Sequence, residues 1–332
     1  VLNPLLLISV IVKTAKKLPG RNHNWFPFLV VLLFVHSSVH VGLAQGKRSH
    51  SSVQKKSIKR PANTKTSVSG NKNSKSVRTV KTLIKSITAL NVPMLGPKYA
   101  RVTIKDRTLA GAVYYLVSGH GGPDPGAIGH YGKYPLAEDE YAYDVTIRLA
   151  RVLMEHGATV YMIVRDPNDG IRDEPVLKLD HDELTYPSQK IPLSQVKRLR
   201  QGVDAVNNLH RKHKGAYQRM VTIHVDSRSE GQNIDVFFYH HEASKVGKKL
   251  ATHIHKSFQS GYKRSQPNRN YLGTVSNRSN LYVVRNCHPP TVFIELGNIR
   301  NAKDQQRFLL ANNRQALANW ISSGLQTAYK TR

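Results

Sequence analysis

The stretch Gly111-Ala-Val-Tyr-Tyr-Leu-Val-Ser-Gly-His-Gly-Gly-Pro-Asp-Pro-Gly-Ala-Ile-Gly129 runs from a block of β-formers straight into a glycine-rich turn. Seven residues of that composition, stopped by glycine, predict a strand over 111–117. Flanking glycines let the backbone turn sharply and leave His120 uncrowded. Downstream, Tyr141, Val145, Leu149 and Val152 recur at helical spacing and Gly157 is a plausible stop. Ala158–Val164 reads as a second strand, and residues 166–193, with four prolines, as irregular. Ser194 can cap a helix whose apolar face is Val196, Leu199, Val203, Val206 and Leu209. Met220–Val225 and Asp235–Tyr239 read as strands, and Val246, Leu250, Ile254 and Phe258 mark another helix. Leu281–Val284 and Thr291–Leu296 are expected strands, and Asn301 is expected to cap one long terminal helix. Strands alternating with helices give an α/β class: a single domain with a mostly parallel central sheet flanked by helices.

Charge divides the chain. Of 332 residues, 50 are Lys or Arg and 21 Asp or Glu, a formal net charge of +29. Residues 1–105 hold 19 of the basic residues and no carboxylate, so a mixed-charge domain follows a purely cationic leader. Lys16, Lys17 and Arg21 precede an apolar run, Trp25 to Val35, and small residues then lead to Gly42-Leu43-Ala44. That order is the one a secretory signal uses, with cleavage expected after Ala44 and export to the periplasm or cell envelope. Residues 45–107 are expected to be a largely disordered basic low-complexity linker, too poor in large apolar side chains to offset its ordering entropy. Its charge suits anionic envelope polymers, and no specific nucleic-acid motif accompanies it. Residues 108–332 form the expected catalytic domain. A single cysteine, Cys287, excludes an intrachain disulfide framework, so any metal site must use imidazole and carboxylate.

Three polar signals fall at or near the carboxyl ends of expected strands, where open α/β sheets place ligands. They are His120 in the glycine turn, His224 within Thr222-Ile-His-Val-Asp226, and Glu295 within Val292-Phe-Ile-Glu-Leu-Gly297. Each has a bland counterpart: a hydrogen-bonded core histidine, a simple turn, or a glutamate paired with an arginine such as Arg285. Together they supply what a catalytic zinc site needs, about three nitrogen or oxygen ligands and a nearby base. Competing motifs fail. The chain has no Gly-x-Ser-x-Gly elbow, no Gly-x4-Gly-Lys-Ser/Thr loop and no His-Glu-x-x-His.

The order of these motifs resembles the zinc-dependent N-acetylmuramoyl-L-alanine amidases of bacterial cell-wall turnover. His120-Gly-Gly-Pro-Asp-Pro-Gly-Ala-Ile-Gly129, Thr222-Ile-His-Val-Asp226 and Pro290-Thr-Val-Phe-Ile-Glu-Leu-Gly-Asn-Ile-Arg-Asn301 carry the likeness. The resemblance implies one zinc per chain held by His120, a Glu before the first helix and His224, with Glu295 as catalytic base. It also implies peptidoglycan as substrate, cut between N-acetylmuramic acid and L-alanine during wall turnover and daughter-cell separation. Registering the helix through Leu149 and Gly157 without a gap selects Glu138 as the third ligand. Matching only the local Glu-x-x-aromatic-Asp-Val pattern would select Glu140 and rotate the apolar face by about 200°.

Two departures stand out. Val117-Ser118 replaces the family's Asp-Pro, so a carboxylate orienting the ligand histidine must come from elsewhere, with Asp226 and Asp124 as candidates. Asn298 and Arg300 replace the family's Phe and Ser. Family members can also be restrained by a helix over the zinc and opened by a protein activator. Here 166–193 is the candidate lid, and its Asp180-His-Asp-Glu183 could reach a metal. The alternatives are a zinc peptidase acting within the stem peptide and a non-catalytic wall-binding protein.

Overall fold

In the computed structural model, residues 88–332 are described, apart from Ser229, Glu230 and Gln232. The expected signal segment 1–44 and residues 45–87 of the expected linker lie outside the described residues. A six-stranded sheet is formed by β1 (Ala112–Ser118), β2 (Thr159–Met162), β3 (Tyr217–Asp226), β4 (Phe237–His240), β5 (Thr274–Asn277) and β6 (Thr291–Asn298). Its order is β5-β4-β6-β3-β1-β2, and only the β4–β6 neighbours run antiparallel. The mostly parallel α/β sheet expected from the sequence is therefore present.

Helices cover both faces. Leu116, Val221, Ile223, Val292 and Ile294 point into one large core with α1 (Glu138–Glu155), α3 (Lys245–Ser265) and α6 (Ala311–Lys330). The alternate residues Val113, Tyr115 and Met220 pack against α2 (Gln195–Lys212) on the opposite face. Period-two alternation then fixes the site: Met220 and Phe293 lie on this second face, and so do His224 and Glu295, each an even number of residues along its strand.

Three expectations need correction. Leu281–Val284 is not a strand; Tyr282–Asn286 is a short helix, α4, whose Val284 packs on Tyr239 and Phe293. The β-branched pair favoured a strand, but this chain segment lies over the sheet rather than beside it, and tertiary packing overrides a weak local preference. The edge position is taken instead by Thr274–Asn277. Asn301 does cap a helix, accepting from the Lys303 and Asp304 amides, but that helix is α5 (Ala302–Leu309) and ends at Leu310. Leu310 is extended, at φ −92° and ψ 118°, and α6 starts afresh after it.

The domain also begins before residue 108. Ala89–Asn91 and Arg101–Thr103 pair antiparallel, with Leu95 and Val102 fully buried in the main core. The Lys105 amide donates to the Glu155 carbonyl at 2.8 Å. The final twenty residues of the expected linker are thus part of the folded domain, because Leu95 and Val102, with Leu90, Val92, Met94 and Tyr99 partly buried beside them, join the main core. No helix among the described residues is long and apolar enough to cross a membrane.

Candidate active site

The parallel register of β3 with β6 places His224 beside Glu295, and neighbouring strands are about 4.8 Å apart. β1 ends one residue short of Gly119, whose amide donates to the Ile223 carbonyl at 2.7 Å. The chain then turns through three consecutive left-handed residues, His120 (φ 66°), Gly121 (φ 100°) and Gly122 (φ 60°). A left-handed non-glycine residue is costly and is kept where surrounding structure over-determines it. Gly119 allows a close approach: a Cβ there would lie 2.2 Å from the His224 ring. Gly126 is equally confined, since its Cβ would meet Glu138 Oε2 at 2.7 Å and the His120 ring at 2.8 Å.

Glu138 opens α1. Its Oε2 lies 3.3 Å from His120 Nε2 and accepts from the Ala127 amide at 2.9 Å. Its Oε1 lies 3.1 Å from His224 Nδ1 and accepts from the Val225 amide at 3.0 Å. Burial opposes ionisation of this carboxyl, yet the two imidazoles outweigh it and hold its pKa well below the usual carboxylate range. One donor atom each from His120, Glu138 and His224 all lie within 4.8 Å of one another. Two imidazoles and a carboxylate, with a cleft of about 320 Å³ beside them, fit the three-ligand, one-open-position chemistry of catalytic zinc.

Of the two glutamates that sequence reasoning weighed, Glu138 joins the histidines and Glu140 does not. Glu140 turns to Arg172 at 2.8 Å and accepts from the Asp180 amide at 2.9 Å. The orienting carboxylate is Asp124, whose Oδ2 lies 2.9 Å from His120 Nδ1. Asp226 instead accepts from Arg228 Nε at 2.8 Å. Burial works against a charged His120, but the hydrogen bonds with Asp124 and Glu138 prevail and push its pKa up to about 10. Burial lowers that of His224.

Sequence reading missed Arg198. From the first turns of α2 it donates to Asp124 Oδ2 and to the Leu193 carbonyl, so an arginine 74 residues away fixes the carboxylate that fixes His120. Ser194 at the helix start was the one available signal, and it says nothing about the arginine's target.

Glu295 Oε2 is buried without a hydrogen-bond partner, and no ion pair with Arg285 forms among the described residues. Burial, followed by the Glu138 and Asp226 carboxylates, raises its pKa well above the usual value. The side chain therefore holds a proton more readily than a surface glutamate. Asp180–Glu183 does not reach the His120–Glu138–His224 donors. Glu183 accepts from the Gly122 amide at 2.6 Å and His181 Nδ1 lies 2.8 Å from the Gly122 carbonyl, so this segment braces the glycine turn from outside.

Comparison with known proteins identifies the family and the fold. The family model for N-acetylmuramoyl-L-alanine amidase matches residues 115–327. The chain is 24% identical over 200 residues to the germination-specific N-acetylmuramoyl-L-alanine amidase of Bacillus subtilis (strain 168), covering 59% of this chain and 70% of that one. Among solved structures, the CwlD amidase of Clostridioides difficile, determined in complex with the GerS lipoprotein, superposes with a TM-score of 0.50 at 18% identity. That match covers 66% of this chain and 99% of the other. Ami1 of Mycobacterium smegmatis gives a TM-score of 0.50 at 16% identity over 68% and 99%. At those identities the likeness is one of fold. With the family model covering well over half its length, the chain belongs to the N-acetylmuramoyl-L-alanine amidase family.

Proposed function

We propose that the chain is a zinc-dependent peptidoglycan amidase that cleaves between N-acetylmuramic acid and L-alanine, with His120, Glu138 and His224 holding one zinc. The observation that carries this reading is the convergence of those three donors beside Glu295, at the carboxyl ends of three strands and a helix start. Lewis acidity toward an amide carbonyl and toward water is what such an ion supplies. Asp124, held by Arg198, keeps His120 oriented with Nε2 toward the site. Glu295 takes a proton from the attacking water and returns it to the departing alanine nitrogen, a role its raised pKa suits. The cleft beside it, lined by Ile191, Leu199 and Phe293 with Arg198 at one wall, offers room for part of a peptide or sugar.

Action on peptidoglycan requires the domain to reach the wall. The cationic leader, as signal and then tether to anionic envelope polymers, supplies a route to it. The lipoprotein bound to the Clostridioides difficile relative suggests that a protein partner can also be part of this chain's regulation.

A digest of purified sacculi, scored by mass spectrometry with and without chelator, tests the reading. Stem peptides with a free L-alanine amine are expected, lost on chelation and restored by zinc. Peptides cut internally would replace the amidase with a peptidase. Glu295→Gln is expected to keep its zinc and lose at least a hundredfold in rate, the lower end of what a general base contributes; unchanged hydrolysis would remove Glu295 from the mechanism.

A further inference from the structure

We propose that Asp166, Asp180 and Asp182 form a second cation site, for a hard divalent ion of calcium's class, separate from the His120–Glu138–His224 centre. One carboxylate oxygen from each of the three lies within 4.8 Å of the others. Two oxygens bound to one calcium at 2.3–2.6 Å stand at most about 5 Å apart, so the spacing suits a shared ion. The donors are all oxygen, which favours calcium, magnesium or manganese over zinc.

Clustering alone would not suffice, since acidic groups often gather on a surface. Here two of the oxygens are buried and unpartnered. Asp166 is only 2% exposed. Its Oδ1 accepts from the Asn168 and Asp169 amides, while its Oδ2 is buried without a donor and free to take a cation. Asp180 Oδ1 is likewise buried with no donor. An unpartnered buried carboxylate oxygen carries a desolvation cost that a cation removes.

Charge around the group points the same way. Among the described residues no Lys or Arg is ion-paired with Asp166, Asp180 or Asp182; Arg172, the nearby cation, is taken by Glu140 and Asp169. The three carboxylates thus have no side-chain cation of their own, and a bound metal ion would supply one. Asp182 is exposed, which gives the ion a path in and leaves positions for water. The neighbouring group of Asp139, Glu140 and Glu183 lacks that path: all three are buried and Glu140 is already paired. An ion on the three aspartates would tie residues 166–169 to residues 180–182, the stretch that leads into Glu183 and its bond to the His120 turn.

The test uses the full chain carrying one equivalent of zinc, titrated with calcium by calorimetry. A parallel titration with terbium reads emission sensitised by Tyr143, whose hydroxyl lies 3.2 Å from the Asp169 carbonyl. One further equivalent of calcium is expected, displacing terbium and raising the thermal midpoint. Asp180→Asn and Asp182→Asn should each weaken calcium at least tenfold while zinc content stays at one. His224→Ala should lose zinc and keep calcium. Asp182, being exposed, supplies a variant whose folding is not at stake. Absence of saturable calcium binding at millimolar concentration would overturn the proposal, as would calcium binding unaltered in both asparagine variants or abolished in His224→Ala.

Discussion

Gly119→Ala isolates the steric basis of the site. A Cβ at residue 119 would stand 2.2 Å from both Cε1 and Nδ1 of His224 and 2.6 Å from its Cγ. Non-bonded carbons settle at about 3.5–4.0 Å, so the ring must retreat by about 1.5 Å. It cannot do so freely: its Nδ1 is bonded to Glu138 and its face stacks on Phe293 with centroids 4.3 Å apart. Gly119 is not among the left-handed residues of the turn, so alanine adds bulk without backbone strain. Overpacking of this kind costs about 1–3 kcal/mol, and a displacement near 1 Å at reacting groups costs about a hundredfold in rate, or about 2.7 kcal/mol of barrier. Sacculus hydrolysis should fall by that factor, with zinc affinity weakened and the thermal midpoint lowered by a few degrees. Full zinc content together with wild-type turnover would show that the ring and the glycine do not need this contact, and the ligand geometry built on it would fall.

Two further outcomes follow from groups away from the chemistry, the fully buried Arg314 and the half-buried Cys287. Arg314, fully buried, donates to Asp144 and to the carbonyls of Phe308, Leu309, Arg172 and Glu174; Arg314→Met should cost about 3 kcal/mol, or about 6–12 °C in thermal midpoint for a domain of this size, and a loss under 1 kcal/mol would mean the carbonyls find other donors. The Cys287 thiol is pushed up to about 12 by burial. At pH 8 its thiolate is scarce, so alkylation in the native chain should run about a hundredfold slower than for free cysteine, even after allowing for the greater nucleophilicity of a basic thiolate. The rate should climb with pH and match free cysteine once the chain is denatured; fast native labelling at pH 8 would refute the raised pKa.

Much of this site was legible because polar residues interrupted apolar strands. His224 and Glu295 stood out against Ile223, Val225, Ile294 and Leu296, and the alternation that made them conspicuous also sends them to one face. Glu138 was recoverable from helix register, since a two-residue slip would have turned Leu149 away from the core. Asp124 was legible only as one of two candidates, because the sequence shows that a carboxylate is four residues from His120 and not which way it points. Arg198, the cluster of Asp166, Asp180 and Asp182, and the split of the terminal helix at Leu310 all depend on contacts between distant segments, which local pattern does not encode. Residues 88–107 were hidden for another reason: Leu90, Val92, Met94, Leu95 and Val102 follow a long lysine- and serine-rich stretch, and composition averaged over 45–107 dilutes them.

The strand that carries Glu295 is the last of the six to be made, yet it lies between β3 and β4 in the sheet. A nascent chain that has not yet delivered residues 291–298 has His120, Glu138 and His224 but not Glu295, and holds two open sheet edges where the final strand belongs. On the proposed mechanism, a chain stopped before residue 291 would lack Glu295 and so could not hydrolyse the wall. The pairing of β6 with β3 also joins segments far apart in sequence, Met220 with Thr291, a non-local contact of the kind that slows folding. A product stopped before residue 291 would leave those edges bare, a template for aggregation.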